Sequence, residues 1–162
     1  MNSFSTFVSD FRPFLYIRFH DVNISESLFE EYKENYLKEL LVCKQNKEKI
    51  VLIIDVNELP GLPLQYMVKQ KEFNKKIFHL NEKYLECVFI YCKNKMMKQM
   101  IQMNMMLEKT AAPLHICRSI EKLNRSIQKH TNKEFDCQKI MIKYSHLDKE
   151  EEQEQSMDLE DS

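Results

Sequence analysis

Short apolar runs alternate along the chain with longer segments in which apolar residues recur every three or four positions. Apolar runs of this length predict strands that are buried on both faces. The longer segments follow the period of 3.6 residues and predict helices. The predicted strands are residues 14–19, 50–54, 85–92 and 114–117, and the predicted helices are residues 27–41, 63–80, 95–109 and 120–130.

This alternation predicts an α/β fold with a mostly parallel or mixed central sheet of about four to five strands, flanked by helices. No linker rich in glycine and proline divides the chain, so residues 1–132 are predicted to form one domain. Residues 133–147 are a C-terminal extension that either adds a strand or packs on the domain. Residues 148–162 are acidic, have almost nothing to bury, and are predicted to be a disordered tail.

Local signals set some of the predicted boundaries. Ser27 followed by Glu30 fits a capping box at the start of the first helix. Asn94 and Ser119 are the predicted N-caps of two later helices. Pro60 and Gly61, the only glycine in the chain, predict a turn in which glycine permits a positive φ.

Charge and composition exclude several functional classes. Residues 148–162 carry a net charge of −7, which leaves +6 on residues 1–147. One helical face of the body is basic but has no aromatic residues interleaved, so we expect a solvated face and no nucleic-acid partner. This face comprises Arg118, Lys122, Arg125 and Lys129.

The five cysteines and the N-terminus indicate the compartment. An odd number of cysteines follows an N-terminus without a basic start or an apolar run of signal length, so we expect reduced thiols and a cytoplasmic protein. The longest apolar runs are about five residues, too short to span a bilayer.

The run IVLIID ends in Asp55, a position where many α/β folds place a catalytic or phosphate-binding group. A phosphate-binding loop or a dinucleotide fingerprint needs several glycines, and one glycine follows here. We therefore interpret Asp55 as a strand-end cap or hydrogen-bonded turn. Cys87 and Cys92 are five residues apart and point to opposite faces, which argues against a zinc site with His115 and Cys117.

These patterns predict no catalytic residue, no metal and no cofactor. A nucleophilic pair of Cys117 with His79 or His130 stays open, although no local motif supports it.

The helix at 95–109 is unusually rich in methionine. A narrow stripe on one face is predicted to pack on the core, and it comprises Met96, Met100, Met103 and Leu107. Ile101 and Met105 fall on the far side. Either this helix is buried more fully than usual, or Ile101 and Met105 belong to an adaptable contact surface for another protein.

The order of elements over about residues 13–130 resembles the STAS domain of anti-sigma-factor antagonists and sulphate-transporter tails. IVLIID, followed four residues later by Leu59, looks like the central strand and hydrophobic loop of that family. Members usually continue with an Asp-Ser-Ser/Thr-Gly segment whose serine is phosphorylated by a partner kinase. Pro63 and Leu64, followed by Gln65 and Tyr66, stand here instead. The resemblance therefore implies an interaction module without the phosphorylation switch.

Lipid-carrying CRAL-TRIO domains are a second resemblance. IIDVNEL and the later KYLECVFIYCKN are similar to their strand, tyrosine and apolar strand, although the usual proline-bearing segments are absent. This resemblance implies a module that binds a small apolar ligand or lipid.

These considerations predict a non-enzymatic STAS-like module that binds another protein through the loop at 56–64 and the helix after it. The predicted contact residues are Leu59, Leu62, Leu64, Met67, Ile101 and Met105. The alternative is a ligand-binding module in which the same loop closes an apolar pocket.

Overall fold

A computed structural model of the chain describes residues 3–142, and it has the α/β architecture that the sequence predicts. The strands are β1 (Ser5–Val8), β2 (Phe14–Phe19), β3 (Ile50–Asp55), β4 (Leu85–Tyr91) and β5 (Leu114–Cys117). The helices are α1 (Glu26–Asn46), α2 (Leu64–Lys76), α3 (Phe78–Tyr84), α4 (Lys95–Leu107), α5 (Ile120–Thr131) and α6 (residues 137–142). Among residues 3–142, no helix combines the length and apolar character needed to cross a membrane.

The five strands form one mixed sheet in the order β1-β2-β3-β4-β5. β1 pairs antiparallel with β2, and every other pair is parallel. Each crossover steps to the next strand in the same direction, and such crossovers are right-handed in nearly all proteins. The connecting helices therefore lie on one face of the sheet, and the helices after β5 cover the other.

Alternation along the strands divides the core between these two faces. Leu15, Leu52 and Val88 belong to the core under α1, α2 and α3. Tyr16 and Ile53 belong to the opposite core, where α5 and α6 pack. Burial on both faces confirms the interpretation of the apolar runs as central strands.

Two elements differ from the sequence-based prediction. The predicted helix at 63–80 is two helices, because the backbone breaks at Ile77. β1 was not predicted. Of the two alternatives for the extension, the structure has the one that packs on the domain, because α6 is a helix that buries Cys137 and Ile140. Residues 143–147 and the predicted tail at 148–162 lie outside the described residues.

The helix caps are confirmed at Asn94 and Ser119, whose side chains accept hydrogen bonds from backbone N–H groups of the first helical turn. The cap of α1 is Ser25, two residues before the predicted Ser27, and it accepts from the Leu28 amide. The chain bends at Pro60, but Gly61 does not have the positive φ that the sequence suggested. A hydrogen-bonded turn lies just before it, where the Leu59 amide donates to the Val56 carbonyl at 3.1 Å.

Candidate functional site

Asp55 ends β3 in a closed hydrogen-bond network. Its Oδ2 accepts from the Tyr16 hydroxyl at 2.5 Å and from Arg18 Nε at 3.3 Å. Its Oδ1 accepts from the backbone N and the side-chain Nδ2 of Asn57, at 3.0 and 2.8 Å. Asn57 in turn ties the next strand end, because its Oδ1 accepts from the Lys93 amide at 2.6 Å. This arrangement confirms the interpretation of Asp55 as a strand-end turn.

All five cysteines are buried and free. Burial raises the pKa of the Cys117 thiol and raises the pKa of Cys137 to about 12, so both stay protonated near neutral pH. Cys87 and Cys92 lie in the cores of opposite faces, as predicted from their spacing. Within residues 3–142, no three histidine, cysteine or acidic side chains come together as a set of metal ligands.

An apolar cavity of about 380 Å³ lies between the sheet and the helices on the α1–α4 face. Ile17, Leu52 and Ile90 are among the residues of its floor, on three adjacent strands. Its walls come from α1, α2, α3, α4, the loop at 56–62, the segment after α4 and the residue before β1. The wall residues include Phe4, Phe29, Tyr32, Val56, Leu59, Leu62, Met67, Phe78, Met97, Ile101 and Met105.

Aromatic packing holds one end of the cavity in place. Phe4 lies with its ring centroid 5.9 Å from Tyr32, and Phe29 lies 5.4 Å from Tyr66. The Tyr66 hydroxyl donates to the Ile24 carbonyl at 3.1 Å, which fixes the start of α2 to the segment before α1. Leu59 and Leu62 pack on this aromatic cluster. The loop at 56–62 therefore closes the cavity at the carboxyl edge of the sheet.

The orientation of α4 is the reverse of the predicted one. Met97 and Ile101 face the core, and Met105 also lines the cavity. Met96 and Met103, assigned to the core from their stripe, are 73% and 65% exposed. No residue of α4 is fully buried, so this helix covers the cavity without filling it.

Five of the six predicted contact residues come together in one place. Leu59, Leu62 and Met67 line the cavity from the loop and α2, and Ile101 and Met105 line it from α4. These five are at most partly exposed. Leu64 does not line the cavity and is 75% exposed. Most of the residues predicted to contact a partner therefore face the cavity and not the outer surface of the protein.

The cavity lining has fewer polar than apolar residues. The polar ones lie in the middle of the cavity and at the end opposite the 56–62 loop. Gln70 Nε2 donates to Asn74 Oδ1 at 2.9 Å, and the Tyr36 hydroxyl donates to Asn81 Oδ1 at 2.8 Å. Burial raises the pKa of Tyr32 to about 12, so its hydroxyl is uncharged near neutral pH. Apart from these groups the lining offers mainly carbon atoms, which suits an apolar guest.

Sequence reasoning assigned some cavity residues to the core and missed others. Tyr32, Tyr36 and Phe29 belong to the apolar stripe of α1, but a stripe predicts burial and does not distinguish packing from a cavity wall. Phe4 was missed together with β1. The one available signal for it was the aromatic density of the first fourteen residues.

No protein-family model, curated protein or solved structure matches this chain. The alternating order of strands and helices that carries the resemblance to STAS domains is present in the structure. Membership of the STAS or CRAL-TRIO family stays a prediction from that resemblance.

Proposed function

We propose that this chain is a non-enzymatic binding module for a small apolar molecule, held in the cavity between the sheet and α1–α4. The observation that carries this proposal is the cavity itself, about 380 Å³ and lined mainly by apolar side chains. Binding sites for small ligands are usually preformed clefts of about 300–1,000 Å³ with such a lining. This is the alternative considered from the sequence, in which the 56–62 loop closes an apolar pocket.

The side chains considered above as an acid or a nucleophile, Asp55 and the cysteines, lie outside the cavity. Asp55 is saturated by Tyr16, Arg18 and Asn57, and it does not line the cavity. The cysteine thiols are buried, and none lines the cavity. These positions support binding without turnover.

Native mass spectrometry of the purified chain tests the proposal. We expect a small bound mass that is lost on denaturation, or uptake of the apolar dye Nile red by protein stripped of ligand. The proposal would be refuted if the protein purifies without a bound ligand and takes up no apolar dye.

Two valines on neighbouring strands provide a matched pair of variants. Val88 lies on β4 and lines the cavity, whereas Val51 lies on β3 in the core of the opposite face and does not line it. Phenylalanine at Val88 has space to enter, so Val88→Phe should keep or raise the melting temperature and abolish dye uptake. Val51→Phe overpacks a filled core and should cost about 1–3 kcal/mol. Equal destabilisation by both would indicate that the cavity is not open space.

A second candidate function is docking of another protein, as the STAS resemblance implies. The observation that favours it is a set of exposed apolar side chains along α4 and at the start of α2: Met96, Met103, Leu107 and Leu64 are each at least 65% exposed. Met103→Asp with Leu64→Asp should abolish such docking and leave dye uptake intact. Docking that survives in this double variant would refute the second function.

A further inference from the structure

The cavity differs in polarity along its length. α2 and α4 each begin at the carboxyl edge of the sheet and run back to the amino edge, because each connects two parallel strands. Their first turns therefore lie beside Leu59 and Leu62, at the apolar end. Their last turns carry the polar lining residues Asn74 and Asn104, and Thr110 follows α4.

The cavity meets solvent at its polar end. None of the lining residues Phe29, Leu59 and Leu62 at the carboxyl edge is exposed. The exposed lining residues all come from the last turn of α2, from the middle of α4 onwards, or from the segment after α4. They are Asn74, Met100, Asn104, Lys109 and Thr110. A guest would therefore enter between α2 and α4 with its chain directed to the carboxyl edge.

The polar groups near this mouth are amides and a hydroxyl, together with two charged side chains, Glu108 and Lys109. Asn81 is buried and accepts from the Tyr36 hydroxyl, whose pKa is raised by burial. Lys71 Nζ lies 3.0 Å from Glu108 Oε1 as its ion-pair partner, and the Lys109 ammonium lies over the Phe78 ring, 5.5 Å from its centroid. Amide and hydroxyl groups offer both donors and acceptors to a neutral head group. A charged head group would lose hydration and would have to compete with Lys71 or the Phe78 ring for a counter-charge, which costs free energy.

The volume favours a guest with one chain. At about 380 Å³ the cavity is near the lower end of the range of about 300–1,000 Å³ for small-ligand sites. That is sufficient for a chain of about ten carbons with a small head group. A single chain of this length suits the volume better than the two acyl chains of a phospholipid.

We propose that the ligand is a single-chain amphiphile with an uncharged hydrogen-bonding head group. The head lies at the amide-lined mouth between α2 and α4, and the chain lies under the 56–62 loop. This inference rests on the proposed function and adds the class and the orientation of the ligand.

Methionine methyl groups report this orientation directly. Met67 and Met97 lie in the first turns of α2 and α4, at the closed end, and Met105 lies in the last turn of α4, near the mouth. With the full chain labelled at methionine methyls, nuclear Overhauser effects from bound 1-decanol can be measured. We expect the terminal methyl of the alcohol to contact Met67 and Met97, and its C1 methylene to contact Met105.

The reverse pattern, or contacts of each ligand end with both sets of methionines, would overturn the inference. Nile red uptake separates this failure from failure of the proposed function. If wild type takes up the dye, Val88→Phe does not, and 1-decanol leaves the methionine signals unchanged, then the ligand class is wrong and the binding function stands. If neither compound binds, both proposals fail.

Head-group preference provides a second test with matched variants. We expect 1-decanol to bind at least tenfold more tightly than decylammonium or decyl sulfate. Asn74→Leu at the mouth should weaken 1-decanol binding by roughly fivefold, the equivalent of one hydrogen bond. Asn46→Leu, at the exposed end of α1 and outside the cavity, should leave it unchanged. Equal affinity for the charged ligands, or equal behaviour of the two variants, would refute the inference.

Discussion

Replacing Asp55 with alanine should lower the free energy of unfolding more than any surface substitution, although Asp55 has no role in the proposed site. Its side chain is 3% exposed and accepts hydrogen bonds from Tyr16, Arg18 and Asn57. The change removes the acceptor of the Tyr16 hydroxyl, which is fully buried in the core. It also removes the carboxylate nearest to Arg18, at 3.3 Å.

The magnitude follows from these contacts. A hydrogen bond to a charged group contributes about 1.5–3 kcal/mol, and neighbouring bonds are not additive. Removing one partner of a buried charged pair costs about 3–5 kcal/mol, and we expect Asp55→Ala to fall in that range. For a domain of this size the melting temperature falls by roughly 2–4 °C per kcal/mol, so the loss is easily measured.

Urea unfolding followed by far-UV circular dichroism measures the effect, with Glu58→Gln as the control. The Glu58 carboxylate also contacts Arg18, but it is 45% exposed, so its loss should cost less than about 1 kcal/mol. If Asp55→Ala costs no more than Glu58→Gln, the closed network does not stabilise the fold as argued. If folded Asp55→Ala loses dye uptake, Asp55 belongs to the site after all.

Three further outcomes are expected. The pKa of His115 is lowered by burial and then by His130 and Lys129, so its neutral form stabilises the fold at pH values above about 6.5, and that stability is lost as the pH falls. His115→Phe should therefore reduce the drop in urea midpoint between pH 7.5 and 5.5, and an unchanged drop would refute this. On α4, Ile101→Gln should destabilise the chain by about 1–2 kcal/mol, whereas Met103→Gln should stay within about 0.5 kcal/mol, as measured by urea unfolding. Equal effects would contradict the observed orientation of the helix. The thiols should react slowly with Ellman's reagent in the native state and rapidly in guanidinium chloride, because burial raises the pKa of all five cysteines; fast native reaction of any thiol would show that it is accessible.

The sequence correctly predicted those strands and helices whose signals lie within a few neighbouring residues. The run from Ile50 to Asp55 is apolar throughout, which suits only a strand covered on both faces, and the sheet has it in that place. Asn94 and Ser119 satisfy backbone N–H groups of their own helices, so their role is readable from a few neighbouring residues. Alternation of such elements was enough to predict the α/β class.

The orientation of α4 could not be read in this way. The helix is apolar on two sides, and the periodicity alone favoured Met96 and Met103 as its core face. Its placement depends on contacts distant in sequence, such as the packing of Met97 and Ile101 against the core under α1, α2 and α3. The tertiary contacts turned Ile101 inward and left the more regular methionine stripe exposed.

The amino-acid sequence by itself determined the strands β2 to β5, the helices α1, α4 and α5, and the apolar character of the 56–67 segment, because hydrophobic period and capping act within a few residues. Only the tertiary structure decided that Leu59, Leu62 and Ile101 face one another across open space. A cavity is the volume that packed elements leave unfilled, so it depends on the distances between helices and sheet. Burial patterns along the chain are the same for a wall and for a filled core.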